Sequence, residues 1–275
     1  MKSDRKQIVV AGCFDDIRSR QVRFLEEASE LGDLTVLLWN DDSVHRQTGA
    51  RPKFPEAERF YVLQAIRFVS HVALTDAASN PDTLPELAEP NPQVWVVESA
   101  HANLSKKRFC NAKGIELRSL GEEALRGFPD TPPISSAPGR KKVVVTGCFD
   151  WFHSGHVRFF EEVSTYGDLY VCVGHDANVR LLKGNEHPMH SQAERRYLVG
   201  AVRFVKQALI TSGRGWLDAE PEILRLKPDI YAVNEDGDQG SKREYCERHG
   251  IEYLVLKRVP APGLPKRTST VLRGF

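Results

Sequence analysis

Residues 141–169 read KKVVVTGCFDWFHSGHVRFFEEVSTYGDL, and residues 6–34 read KQIVVAGCFDDIRSRQVRFLEEASELGDL. Aligned without gaps, 17 of these 29 positions are identical. Each copy opens on a short apolar run, Val143–Thr146 in the second. A run of that kind marks a strand buried on both faces. A stretch with helical spacing follows, from about His156 to Tyr166 in the second copy. Between strand and helix both copies keep Gly-Cys-Phe-Asp, and there they part. The second continues His153-Ser154-Gly155-His156, where the first has Arg18-Ser19-Arg20-Gln21.

Outward from this unit, strand and helix patterns alternate. Strands are predicted at Leu169–Val173, Gln207–Ile210, Ile230–Val233 and Glu252–Leu256, with helices over Ala193–Phe204, Leu217–Leu226 and Lys242–His249. Repeated β-α units predict an α/β fold with a parallel, doubly wound sheet and helices on both faces. Glu58–Val69 matches Glu194–Val205 at seven of twelve positions, so the first copy follows the same plan. Between the copies, residues 128–139 read FPDTPPISSAPG, with four prolines and no apolar periodicity. That composition marks a linker. The expected division is a domain at 1–127, a linker at 128–139 and a domain at 140–275.

Composition narrows the class. Apolar residues make up 41% and charged residues 27%, as in globular proteins. With 38 basic and 37 acidic residues, nothing points to a nucleic-acid groove or an anionic membrane surface. No run approaches the roughly 18 apolar residues of a membrane span, and the start carries no apolar targeting stretch. The five cysteines show no CxxC spacing, which reads as buried thiols in a reducing, cytoplasmic setting.

The chemistry concentrates where the second copy's first strand gives way to its helix. A helix start offers unpaired N–H groups and partial positive charge, both suited to phosphate. His153 and His156, three apart, face one side of a helical turn, so both rings can reach one phosphoryl group. Gly155 between them removes a side chain and lets a nucleotide approach the backbone. Donors so placed would stabilise charge developing on a phosphoryl group without any side-chain nucleophile.

Gly147-Cys148-Phe149-Asp150, followed by His153-x-Gly155-His156 after a first strand, resembles the nucleotidyltransferase superfamily with a Rossmann-like fold. Within it the chain is most similar to cytidylyltransferases acting on glycerol-3-phosphate, choline phosphate and ethanolamine phosphate. The last of these has a eukaryotic form that is also a tandem. The resemblance implies transfer of CMP from CTP to a small phosphorylated alcohol, with release of pyrophosphate and with Mg²⁺ shielding charge. An ATP-dependent adenylyltransferase on the same fold is the alternative, and a non-catalytic nucleotide-binding or scaffold protein a third reading.

Residue by residue, the resemblance makes His153 and His156 stabilisers of the transferring phosphates. Gly147, Cys148, Phe149, Asp150 and Gly155 would line the nucleotide. Lys183, in a Lys183-Gly184 loop, would meet a phosphate as a point charge, and Arg195, or its neighbour Arg196, matches a family arginine. Asn234 and Asp236 would lie beside the base or metal. Thr268-Ser269-Thr270 fits a Ser/Thr cluster over the β- and γ-phosphates, with Arg258 or Arg267 supplying an arginine. A proline-rich insertion departs from the family pattern there. No metal site made of protein side chains is expected. The loop Ser212–Trp216 is a candidate part of an acceptor pocket.

The first copy is expected to be non-catalytic, because both histidines are gone and Arg20 fills the place of Gly155. Its expected role is that of a second subunit in an intramolecular pseudo-dimer, with further homo-oligomerisation open; an allosteric nucleotide site, with Arg18 and Arg20 binding an anion, is the alternative.

Overall fold

The computed structural model describes residues 5–76, 80–85, 91–130, 132–134 and 137–272, with Thr270 and Val271 described by backbone alone. The chain divides into two compact units, 1–127 and 128–275.

The first unit runs β1 (Gln7–Gly12), α1 (Ser19–Ser29), β2 (Asp33–Trp39), α2 (Asp41–Thr48), α3 (Glu56–Ala65), β3 (His71–Thr75), β4 (Val94–Glu98), α4 (Leu104–Lys113) and β5 (Glu116–Leu120). The second runs β6 (Lys142–Gly147), α5 (Ser154–Ser164), β7 (Asp168–Val173), α6 (Asp176–Lys183), α7 (Gln192–Gly200), β8 (Val205–Ile210), α8 (Glu220–Leu226), β9 (Ile230–Asn234), α9 (Gly240–His249), β10 (Glu252–Leu256) and α10 (Ser269–Leu272). Each unit holds one five-stranded parallel sheet. The orders are β3-β2-β1-β4-β5 and β8-β7-β6-β9-β10, the same topology twice. This is the α/β, Rossmann-like architecture that the repeated β-α pattern predicts.

The second sheet parts beside its central strand. β6 pairs with β7 along its length, from Lys142↔Asp168 to Gly147↔Val173. With β9 it pairs only at Val143↔Ile230 and Val144↔Tyr231. Strand order reverses at that point, and open α/β sheets take their ligands in the crevice beyond the carboxyl ends there. The core beneath is formed by Val143, Val144, Val145 and Phe160, all fully buried. Truncating Phe160, which seats α5 on the sheet, would cost about 3–5 kcal/mol.

Several boundaries differ from the sequence reading. α5 begins at Ser154, two residues before the expected start, with His153 as its N-cap. α7 ends at Gly200 instead of Phe204, because the chain turns there toward β8. Helix α6 was not foreseen, and Lys183 is its last residue instead of a loop residue; Gly184 caps it at φ 91°. The expected linker is tied at its start to the second unit. Phe128 lies 6.2 Å from the Tyr197 ring, and its carbonyl accepts from Arg196 Nη2 at 3.1 Å.

Candidate active site

The site of the second unit begins with a strained turn. Phe149 sits at φ 53°, a region that side-chain-bearing residues seldom occupy. A Cβ on Gly147 would lie 2.7 Å from the Phe149 ring, so the glycine exists to let that ring fold back. Asp150 then holds the turn closed. Its two carboxylate oxygens accept from the backbone N–H groups of Met189 and His190, each at 3.0 Å. Asp150 lines the cavity, but its oxygens fasten the loop before α7, so its part is positioning.

Beyond the turn, the two histidines stack. Their ring centroids are 4.1 Å apart at an interplanar angle of 25°. His153 Nδ1 accepts from the Gly155 N–H at 3.1 Å, which puts the proton of the neutral ring on Nε2. That Nε2 is buried without a hydrogen-bond partner, and so is Nδ1 of His156. Phe149 and Phe152 enclose the His156 ring, with centroids at 5.3 and 5.7 Å. Burial, reinforced by Arg258 and Arg267, holds His153 down to about 3. Burial, then His153, Arg258 and Lys183, pushes His156 well below its ordinary value too. Both rings are therefore neutral at physiological pH, and each keeps an uncommitted nitrogen inside the protein. Buried polar groups without partners are uncommon and mark a place where a ligand completes the bonding.

Gly155 also has a steric reason within the protein. A Cβ there would meet the His153 ring at 2.9 Å. The glycine makes room for the histidine stack.

In front of His156 lies a cavity of about 200 Å³. Gly147, Cys148, Phe149, Asp150, Lys183 and Asn234 line it, as does Asp236. Ser269 also lines it from the start of α10. Thr268 does not, and the side chain of Thr270 lies outside the described residues. Arg258 is the arginine that enters the cavity, ion-paired to Asp236 and donating to the Arg267 carbonyl at 3.2 Å. Arg267 lines an adjoining groove with Gly155 and Lys266.

Arg195 is the clear correction. It is fully buried and does not line the cavity. Its guanidinium donates to the carbonyls of His190 at 3.0 Å, Cys148 at 2.6 Å and Gly174 at 2.7 Å, and to Asp176 at 2.8 Å. With its donors so occupied it ties the turn, α6 and α7 together and has no face for a phosphate. Its neighbour Arg196 points elsewhere, to Phe128 and Asp130. The Ser212–Trp216 loop does not line the cavity either; Gly215 is held to α6 through Asn178 at 2.7 and 3.0 Å.

Sequence reasoning missed Lys242. It lines the cavity, 5.8 Å from the centre of the Tyr231 ring, and burial lowers its pKa. Its position three residues into α9 gave no motif, and the first copy keeps Lys106 in its place.

Residues 144–272 match the cytidylyltransferase-like family. The FAD synthase of Ferroglobus placidus is 37% identical over 120 residues, which cover 42% of this chain and 75% of that protein. The chain belongs to the cytidylyltransferase-like family. The bifunctional protein HldE of Gluconobacter oxydans is 32% identical over 196 residues, 66% of this chain. HldE of Campylobacter concisus is 35% identical over 117 residues. The chain spans 39% and 24% of the lengths of these two HldE proteins. No helix among the described residues is long and apolar enough to cross a membrane.

Proposed function

We propose that the second unit transfers a nucleotidyl group from a nucleoside triphosphate to a phosphorylated small molecule. An oxygen of the acceptor phosphate attacks the α-phosphorus, the bond to the bridging α–β oxygen breaks, and pyrophosphate leaves. The observation that carries this reading is the neutral, stacked histidine pair with uncommitted buried nitrogens, whose His156 lines a cavity together with Lys183, Lys242 and the Arg258–Asp236 ion pair. His153 Nε2–H and the His156 ring would donate to phosphoryl oxygens as charge builds, from nitrogens that are themselves buried. Staying neutral, they give up no proton and need no general base. Lys183 would hold the outgoing phosphates as a point charge. The Ser269 hydroxyl and the start of α10 suit the same oxygens.

The described residues hold no group of three or more His, Cys, Asp or Glu side chains that could grip a metal. Asp236 is paired with Arg258, and the oxygens of Asp150 are engaged by backbone. Mg²⁺ fits this site only as an ion carried on the triphosphate itself, where it would shield charge on the leaving group.

Two nucleotides are in contention. Relatives named FAD synthase make an adenylyl-containing product, which favours ATP and a phosphorylated acceptor such as a sugar phosphate or flavin mononucleotide. By the family resemblance, the Thr268–Thr270 segment, of which Ser269 lines the cavity, and Arg258 favour CTP and a phosphorylated alcohol. Pyrophosphate release with CTP, ATP, GTP and UTP against a panel of phosphorylated small molecules separates them. His153→Ala and His156→Ala should each lower turnover about 10²–10³-fold. Turnover undiminished in both variants would remove the site.

The first unit, lacking both histidines, would add no turnover of its own. We place it as the structural partner of a pseudo-dimer. Residues 128–275 expressed alone should be less active or should self-associate; a monomeric, fully active fragment contradicts this.

A further inference from the structure

The first unit holds the larger cavity, about 640 Å³ against about 200 Å³. It occupies the same place in the fold. Ala11–Asp15, Gln21, Val96–Glu98 and Lys106 stand where Thr146–Asp150, His156, Ala232–Asn234 and Lys242 stand in the second unit. β1 and β4 likewise pair at only two positions, Ile8↔Val94 and Val9↔Trp95. The volume lies within the roughly 300–1,000 Å³ usual for small-molecule sites, at the switch point where such sites form.

Its electrostatics run opposite to those of the second unit. Arg20, in place of Gly155, is bound to Glu98 at 2.7 Å and Glu122 at 2.6 Å. By strand register, Glu98 stands at the position of Asn234 and Glu122 at that of Arg258. Thr48 stands at that of Lys183. Arg18 is paired with Asp16 at 2.7 Å, and Lys106 in the cavity wall is paired with Asp82. A phosphate entering here would meet the Glu98 carboxylate, and Lys106 in the wall is already paired with Asp82.

The remaining wall is aromatic, with Trp39, Trp95, Phe14 and Phe24. Trp95 is 2% exposed, and its indole Nε1–H has no acceptor. In the second unit the corresponding Tyr231 hydroxyl meets Thr146 Oγ1 at 2.8 Å. Ala11 replaces that threonine, which both removes the acceptor and opens space. A buried donor left this way is satisfied by an acceptor on a bound molecule.

The geometry points to a site for a phosphate-free nucleoside. Its base packs against Trp39, an acceptor on the base takes the Trp95 Nε1–H, and ribose hydroxyls donate to Glu98. Stacking on aromatic side chains suits any base. The choice of a nucleoside rests on the nucleotide reading of the equivalent cavity in the second unit.

The test uses the full chain labelled with ¹⁵N. It has four tryptophans, and Trp95→Phe identifies the Trp95 indole resonance. Adenosine and cytidine are titrated first, then AMP and CMP. At least one nucleoside should shift the Trp95 resonance, and its monophosphate should bind at least about 10-fold more weakly. Ala11→Thr, which returns the hydroxyl, should weaken nucleoside binding about 3–10-fold. A Trp95 resonance unmoved by both nucleosides at millimolar concentration overturns the proposal, as does a monophosphate that binds as tightly as its nucleoside. Pyrophosphate release with a silent Trp95 would leave the second unit's reading standing and remove this one. A responding Trp95 without turnover would do the reverse.

Discussion

The turns after β1 and β6 are built alike, and the helices they lead into are not. In both units an aspartate fastens the loop before the next long helix. Asp15 accepts from the backbone of Lys53 and Phe54 at 2.6 and 2.9 Å, as Asp150 accepts from Met189 and His190. In both, a buried arginine ties the turn to its neighbours. Arg59 donates to the carbonyls of Cys13 at 2.6 Å and Trp39 at 2.9 Å and to Asp41 at 2.7 Å, as Arg195 does to Cys148, Gly174 and Asp176. Phe14 and Phe149 are both held at positive φ. At the helix start, however, one unit places two neutral histidines and the other an arginine locked to two glutamates. The shell that shapes the crevice is thus separable from the groups that act in it.

Moving one residue across that comparison gives the largest expected effect. Gly155→Arg, which copies the first unit, would drive a Cβ into the His153 ring and should lower turnover at least about 10³-fold with the fold intact by circular dichroism. Arg20→Gly, the reverse change, should leave turnover within about twofold. A Gly155→Arg chain with near-normal turnover would show that the histidine stack is not the seat of the chemistry.

Next comes the shared arginine. Arg195→Lys keeps the charge but cannot satisfy three carbonyls and Asp176 together, and each buried acceptor left unpaired costs about 1–3 kcal/mol. Arg59→Lys should cost the first unit a similar amount. Urea denaturation measures both. A large fall in kcat for Arg195→Lys with unchanged stability would return Arg195 to the catalytic set.

Acid should separate the two units more gently. His153 is held down to about 3, against 6.5 for an ordinary histidine, and His156 is lowered as well. As pH falls below about 6.5, the unfolded chain takes up protons that the folded rings refuse. Stability from these groups is therefore complete above about 6.5 and lost progressively below it, for His153 down to about 3, with a slope of up to about 1.4 kcal/mol per pH unit for each ring still refusing its proton. Arg18 and Gln21 give the first unit no such loss. Replacing His153 and His156 by Asn should flatten the acid limb of the stability curve relative to the parent; identical limbs would contradict their neutrality.

The smallest contrast concerns glycine. Gly147→Ala would place a Cβ 2.7 Å from the Phe149 ring, whereas at Gly12 the nearest atom of Phe14 is 3.4 Å away. The first change should cost about 1–3 kcal/mol and the second within about 0.5 kcal/mol. Equal costs would mean that the two turns differ less than their rings suggest.

Much of this was legible in the chain itself. The repeated apolar runs and their spacing specify two parallel sheets, because a strand buried on both faces has to be continuously apolar. The absence of His, Gly and His from the first copy singled out His153, Gly155 and His156. Asp150 and Arg195, which both copies share, serve the fold, whereas Lys242, also shared, lines the cavity. Helix α6 escaped notice because Asp176–Lys183 carries a short apolar stripe among polar residues, and its burial depends on neighbours far along the chain.

What the sequence determined by itself is the architecture and the place of the chemistry, since periodicity and a local motif need no partner to be read. What only the tertiary structure decided is what each polar group is bonded to. Arg195 is consumed by carbonyls from three segments, Arg258 swings into the cavity from beyond β10, and Gly155 yields its space to a ring two residues away. Arg20 and Glu122 meet across a hundred residues. Hydrogen bonds and ion pairs between distant segments leave no period in a sequence, and they settle which side chains remain available to a ligand.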